Sequence, residues 1–388
     1  MTNQEFSQRV QKVTDLLARN RLRATLVYYD ELHVANGWYL SEWCPQFESG
    51  AILVTDKGDT MILGGPESEE FAKMDSAVKV TKNIPVFMVP DEEYPYAKIT
   101  DFRGVFKEVF PNGGIQRLGI VGMDSMPVGV HKRLLDELKG VELVDITRDY
   151  EQLRVIKSNY EHQAIEKSYQ ITDAGFKEML KRVSEGTTEN EIAGAGEGVV
   201  RQLGANGFGF QTIVATGERS NGVVPTSSER HLKGGEIVLL GLSARYRGYN
   251  SSAGLSKVVG SPSKKQKEAI KIVAEAYVMC REMLKPGMVG KENYRIIKKF
   301  FEDKGGYARH IICPFVHTIG LLEAEAPFFG PNSEDIVTEN MAVSIDVSLW
   351  NVPDVHGVRV ETGFRITDRG YVPFSPYMDK QIQSLVDL

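Results

Sequence analysis

Residues 339–367, ENMAVSIDVSLWNVPDVHGVRVETGFRIT, constrain the chain more than any other stretch. In the first arm Val343, Ile345 and Val347 share one face of a strand, while Ala342, Ser344 and Asp346 share the other. The connector NVPDVHG turns the chain back, and in the second arm Val358, Val360 and Thr362 alternate with Arg359 and Glu361. Paired, the arms point Asp346, Glu361 and Arg359 into one space. Charges set in strands this apolar must be paired, hold a cation or face a cleft, because an isolated buried charge is prohibitively costly. Upstream, PFVHTIGLLEAEAP places His317 in another apolar segment. A histidine and two carboxylates can ligate one divalent metal. The competing reading is structural: Arg359 and Glu361 form an internal ion pair, and His317 is a hydrogen-bonded core residue.

With 388 residues there is room for two domains, and 42% hydrophobic with 25% charged residues is ordinary for a soluble globular protein. No apolar run reaches membrane-spanning length, and MTNQEFSQRVQKVTDLLARNRL carries charges where a signal peptide needs an apolar core. The expected location is the cytoplasm, with no membrane partner. Cys44, Cys280 and Cys313 lack metal-ligand spacing and read as reduced thiols. A net charge of −6 with no basic cluster among aromatics argues against a nucleic-acid partner.

In chain order, Phe6, Val10, Val13 and Leu17 mark an opening amphipathic helix. Strands at ATLVYY, GAILVT, TMILGG, LGIVG and VELVDI, with a helix around HKRLLDEL, give an α/β domain over residues 1–150. Within it, Trp38, Tyr39 and Trp43 are candidates to line a substrate pocket or an interface, against the plainer reading that they pack. From 151 to 388 the texture changes. YEQLRVIKSNYEHQAIEKSYQITDAGFKEML supports one long helix, broken near its start or continuous, and TTENEIAGAGEGVVRQL a second, opened by a Thr188/Glu191 capping box. GAGEG sits inside that helix and not after a strand, so it is no nucleotide loop. GEIVLLGLSARYRGYNSSAGLSKVV predicts two strands joined by a short turn. Two more helices, the first capped by Ser263 and Gln266, precede His317 and the hairpin of residues 339–367. The second half therefore reads helix, helix, hairpin twice over, an internal repeat that brings both hairpins into one sheet. The fold class is α/β (α+β).

LRVIKS, LKGGEIVLL, RGYNSS, LKPGM, HTIGLLEAEAPFFGP, ENMAVSIDV and GVRVETGFRIT resemble, in order, the landmarks of the aminopeptidase P, prolidase and creatinase superfamily. The resemblance implies a creatinase-like N-terminal domain, including NGWYLSEW, and a C-terminal pita-bread domain with a pseudo-twofold repeat. It also implies a homodimer in which the stretch Trp38 to Trp43 acts as a lid on a neighbouring site. Metallopeptidases of this family hold two divalent ions with two aspartates, a histidine and two glutamates. In this chain the histidine falls on His317 and the glutamates on Asp346 and Glu361, but the aspartates fall on Gly241 and Ser252. Further family histidines fall on Ala324 and near Val224, where only Thr226, Ser227 and Ser228 stand. His231 is a displaced substitute or a surface residue. A creatinase-type acid/base is not reproduced either, since that enzyme's first-hairpin glutamate maps close to Gly254.

Three functions follow. The first is a creatinase-like hydrolase of a C–N bond in a small molecule, not a two-metal peptidase. There Asp346 and Glu361 hold a cationic group or polarise water, His317 is the acid/base and Arg359 grips a carboxylate. The second is an Xaa-Pro aminopeptidase- or dipeptidase-like enzyme with a single metal on His317, Asp346 and Glu361. The third is a pita-bread binding protein without catalysis. The cofactor is accordingly none or one divalent metal, and the substrate is small, cationic or amino-acid-like. The homodimer is checked by light scattering, where a monomer at micromolar concentration would remove it.

Overall fold

Aliphatic and β-branched runs separated by polar turns build a mixed sheet in the first of two units. The structure is a computed structural model describing residues 1–388, which divide into Met1–Arg154 and Val155–Leu388. The first unit holds β1 (Ala24–Tyr29), β2 (Gly50–Thr55), β3 (Thr60–Gly64), β4 (Thr81–Asn83), β5 (Arg117–Val121) and β6 (Glu142–Asp145). They are ordered β4-β3-β2-β1-β5-β6, with β1 antiparallel to β2 and parallel to β5. The opening helix, Asn3–Asn20, is capped by the Thr2 hydroxyl and buries Val10, Val13, Leu16 and Leu17.

GWYLSEW is mostly helical, Ala35–Ser41. Tyr39 and Trp43 are 0% and 3% exposed. Tyr39 meets Tyr150 edge-on at 6.0 Å and lies under the Arg9 guanidinium, while Trp43 packs between Tyr29 and Phe71. The rings of Tyr39 and Trp43 pack in the unit's own core. Trp38 is half-buried.

The second unit contains β7 (Gly207–Phe208), β8 (Ile213–Thr216), β9 (Ile237–Leu242), β10 (Ala244–Tyr246), β11 (Tyr249–Asn250), β12 (Ala253–Val258), β13 (Val316–Thr318), β14 (Glu325–Phe328), β15 (Ala342–Val352), β16 (His356–Ile366) and β17 (Tyr371–Pro373). An eight-stranded sheet runs β14-β13-β15-β16-β12-β9-β8, with β17 also on β16. The hairpins β9/β12 and β15/β16 join where β12 meets β16, Gly254 opposite Glu361. Helices Asn159–Arg182 and Glu189–Gln202 precede the first hairpin, and Lys264–Glu282 and Gly290–Asp303 the second. The apolar faces of these helices and of the sheet form one core that includes Phe176, Val238, Leu240, Val273, Val343 and Val360. No helix is long and apolar enough to cross a membrane.

One open alternative is decided and one local expectation changes. The long helical segment does break, because Ser158 and Glu161 form a capping box and start a new helix at Asn159. The first hairpin is not two plain strands. Beyond Leu242 the Ala244 N–H turns to the hydroxyls of Thr172 and Ser251, and β10 and β11 leave to form a small sheet with β7.

Just before that capping box, Lys157 makes a buried ion pair with Glu325 at 2.7 Å. Gly320 of the HTIG motif makes room for it, since a Cβ there would lie 2.2 Å from Glu325 Oε1. Replacing Lys157 by Met removes the buried cation facing Glu325 and should cost about 3–5 kcal/mol in thermal or urea unfolding. The double variant with Glu325→Leu should recover most of that loss.

Candidate functional site

The site follows from strand register. Asp346 on β15 faces Glu361 on β16, and Ser348 faces Arg359, so Asp346, Arg359 and Glu361 share one face of the hairpin. β13 pairs with β15 through His317 and Ser344, which brings the imidazole alongside. His317, Asp346, Arg359 and Glu361 are 7%, 8%, 6% and 0% exposed. Nitrogen and oxygen ligand atoms of His317, Asp346 and Glu361 lie within 4.8 Å of one another.

Arg359 stands among them. Its Nε donates to Asp346 Oδ1 at 2.9 Å and its Nη2 to Asp346 Oδ2 at 2.8 Å, a two-pronged pair that engages both carboxylate oxygens. Nη1 donates to the Val223 carbonyl at 3.3 Å. Nη2 is also 2.6 Å from Glu361 Oε2, close enough for charge attraction, although no N–H is aimed at that oxygen and it accepts no hydrogen bond. Both readings of the sequence therefore meet here: the charged residues form an internal ion pair and converge in one site.

The electrostatics are set by burial and by these pairs. Burial pushes the Asp346 carboxyl up to about 6 against the pull of Arg359, so it is still mostly ionised at neutral pH. Burial would raise Glu361 as well, but Arg359, His317 and Ser252 hold it well below the usual carboxylate range. For His317, burial would depress the imidazolium, yet Glu361 and Glu323 outweigh it and raise the group to about 9. His317 Nδ1 lies 3.0 Å from the Thr318 carbonyl, which only a protonated nitrogen can bond, and Nε2 faces Glu361 at 3.6 Å.

Two contributors were not singled out in the sequence. Ser344 donates to Glu361 Oε1 at 3.1 Å. Glu323, in the loop after β13, reaches the Ser252 hydroxyl at 2.6 Å, and the same hydroxyl bonds Glu361 Oε1. Ser252 has one hydrogen and contacts two carboxyl groups, so one contact requires a proton on a carboxyl. Glu323 is the group to carry it: burial, then the negative charge of Glu361, pushes it up to about 7. Nothing in the spacing of GLLEAEAP separates Glu323 from an ordinary loop glutamate.

The remaining family positions are lost in different ways. A Cβ on Gly241 would lie 3.2 Å from both Cβ and Cδ1 of Ile213, its register partner on β8. Ile213 in turn packs with Leu239 and Trp350. Val224 is exposed, and His231 sits on the surface with Nδ1 2.8 Å from the Gly186 carbonyl, so it does not substitute in the site. A two-metal centre does not fit these residues, because the first hairpin supplies no anion to offset cation repulsion. A single ion on His317, Asp346 and Glu361 would share Asp346 with Arg359, whose hydrogen bonds leave each carboxylate oxygen a further lone pair.

The comparisons with known proteins agree with this layout. Residues 163–368 match the model of metallopeptidase family M24, and residues 9–156 that of the creatinase/prolidase N-terminal domain. The chain is similar to an Xaa-Pro dipeptidase of Pyrococcus horikoshii, 31% identical over 94% of this chain and 96% of that protein. It is 30% identical to an Xaa-Pro dipeptidase of Pyrococcus furiosus over 94% and 97% of the two chains. The crystal structure of the prolidase from Pyrococcus horikoshii superposes with a TM-score of 0.81 at 28% identity, over 95% of this chain and 97% of that one. With a creatinase-type N-terminal domain followed by a paired-hairpin sheet that carries the family's histidine and second-hairpin carboxylates, this chain belongs to metallopeptidase family M24.

Proposed function

We propose that the chain hydrolyses the C–N bond of small peptides of the Xaa-Pro class, at the centre formed by His317, Asp346, Arg359 and Glu361. The observation that carries this reading is full-length likeness to Xaa-Pro dipeptidases combined with convergence of these four side chains in one buried site. It replaces the creatinase-like reading as the first choice, since the relatives point to peptides and the creatinase-type acid/base has no counterpart near Gly254. A homodimer is part of the same proposal, supported by the family resemblance.

The residues divide the work. Asp346 and Glu361 hold Arg359 and His317 in place, and protonated His317 supports charge developing on the carbonyl oxygen. Glu323, poised to exchange a proton near neutral pH, serves as base toward water and then as acid toward the leaving nitrogen. Ser252 links Glu323 to Glu361 and keeps it oriented. A second reading, a binding protein without turnover, is favoured by the apolar filling at Gly241 and Ile213. It predicts that dipeptides bind and are not cleaved.

The test is a screen of the purified chain against Xaa-Pro dipeptides, proline-free dipeptides, and guanidino, ureido and cyclic amide compounds. Turnover confined to the Xaa-Pro set is expected. Hydrolysis of a guanidino or ureido compound alone would return the creatinase-like function to first place. Glu323→Gln should lower kcat by about 10²–10⁴-fold, the usual contribution of a general acid/base, and should remove the limb of the pH–rate profile near pH 7. Glu361→Gln should lose activity with the fold largely kept. Arg359→Met leaves two buried carboxylates without their cation and should cost about 3–5 kcal/mol of stability.

Stability should also fall as pH rises from mildly acidic to alkaline. Glu323 goes from an ordinary 4.5 to about 7 in the folded chain. Between these values the folded protein retains a proton that the unfolded chain has released, so stability drops with rising pH. His317 goes from 6.5 to about 9, so its contribution is complete below 6.5 and is lost as pH climbs through about 9. Melting temperature measured from pH 5 to 9 should decline, and Glu323→Gln should flatten the lower part of that decline. A parent profile flat across the range would contradict the assignment.

A further inference from the structure

Tyr169, on helix Asn159–Arg182, has no part in the centre as described above, yet the strand register puts its hydroxyl beside it. His317 on β13 faces Ser344 on β15, and Ser344 faces Gly363 on β16, so these positions form one row across the sheet, on the face that carries Glu361. Gly363 has no side chain, and a Cβ there would lie 2.1 Å from the Tyr169 hydroxyl. The phenol therefore takes the place of a side chain at 363, in the row that His317 begins. Its ring is fixed by stacking on Phe374, with centroids 5.4 Å apart.

Packing alone does not account for the hydroxyl. Tyr169 is fully buried and its hydroxyl has no hydrogen-bond partner; the Ser252 N–H lies near the oxygen without closing a bond. An unpaired buried hydroxyl is costly, and phenylalanine would stack on Phe374 without that cost. Burial, then the negative charge of Glu361, pushes the phenol well above its ordinary range, so it keeps its proton at neutral pH. The result is a rigid, neutral donor whose proton is uncommitted. Such a preorganised donor suits an oxygen on which negative charge develops.

We propose that Tyr169 is a further catalytic residue of this centre, donating its phenolic O–H to the carbonyl oxygen of the scissile bond alongside the donor supplied by His317. This rests on the proposed hydrolysis of peptides here. The proton stays on the phenol throughout, and the hydrogen bond strengthens as the carbonyl becomes tetrahedral.

The experiment compares the full chain with Tyr169→Phe, which deletes the hydroxyl and keeps the ring. For an Xaa-Pro dipeptide cleaved by the parent, kcat should fall about 10²–10³-fold, the usual cost of removing one such donor, with KM and melting temperature little changed. An unchanged kcat would overturn the inference, as would a fall matched by loss of folded protein. Calorimetry with a phosphinic dipeptide mimic, whose anionic oxygen stands in for the tetrahedral intermediate, gives a readout that needs no turnover. Tyr169→Phe should bind the mimic at least about tenfold more weakly, with no loss of affinity for a reduced-amide dipeptide that lacks the carbonyl oxygen. Equal affinity of both proteins for the mimic, or no binding of it by the parent, would overturn the inference. If no Xaa-Pro dipeptide is cleaved, the functional reading fails while the titration still decides whether Tyr169 meets a ligand oxygen.

Discussion

The register of the β15/β16 hairpin is the constraint on which the site depends. With Asp346 opposite Glu361 and Ser348 opposite Arg359, three charged side chains leave one face of two strands whose other face is built from Val343, Ile345, Val347, Val358 and Val360. A slip of one residue would drive those charges into the core and expose the aliphatic set, so the apolar face alone specifies the pairing. β13 then adds His317 by pairing with β15, and β12 closes the other side through Gly254. Chemistry and core are thus two faces of one packing decision.

Burying so many ionisable groups is tolerable only because each has a partner. Asp346 alone would be expelled or neutralised; with both oxygens on Arg359 it is held as an anion. Glu361 receives hydrogen bonds from Ser252 and Ser344 and lies near two positive groups. Glu323 is the least compensated member, with a neutral hydroxyl as its bonded partner and Glu361 as a nearby like charge. It therefore keeps a proton that an exposed glutamate would lose. The same low-dielectric setting holds His317 charged and Glu323 close to neutral, and it separates the roles of groups that would titrate ordinarily in water.

Much of this was legible in the residues. Period-two alternation in MAVSIDV and GVRVETG placed Asp346, Arg359 and Glu361 on one face, and the repeated helix, helix, hairpin pattern anticipated the joined sheet. Gly241 and Ser252 could be seen as departures through the family resemblance. What was not legible depended on three-dimensional neighbours. No pattern on β8 says that Ile213 fills the space beside Gly241, and loop glutamates such as Glu323 have no periodicity to betray them. Trp38, Tyr39 and Trp43 were open to two readings because aromatic clusters look alike in sequence whether they face a ligand or one another; Tyr39 and Trp43 face their own core.

The departures from the family pattern also belong together physically. An aspartate at position 241 would need Ile213 to move, and Ile213 is packed against Leu239 and Trp350. An aspartate at 252 would sit beside Glu361 and Glu323 with no hydroxyl to bridge them, adding a third carboxylate to a space served by Arg359 and His317. Either change alone adds negative charge with no cation to meet it, and removing Arg359 alone leaves two carboxylates facing each other. Side chains that share partners in this way are not independent, so the effect of changing several cannot be summed from single changes. Ser252, Glu323, Glu361, Asp346 and Arg359 are linked through shared partners in this way, so a carboxylate added at 252 or a guanidinium lost at 359 is felt by all of them.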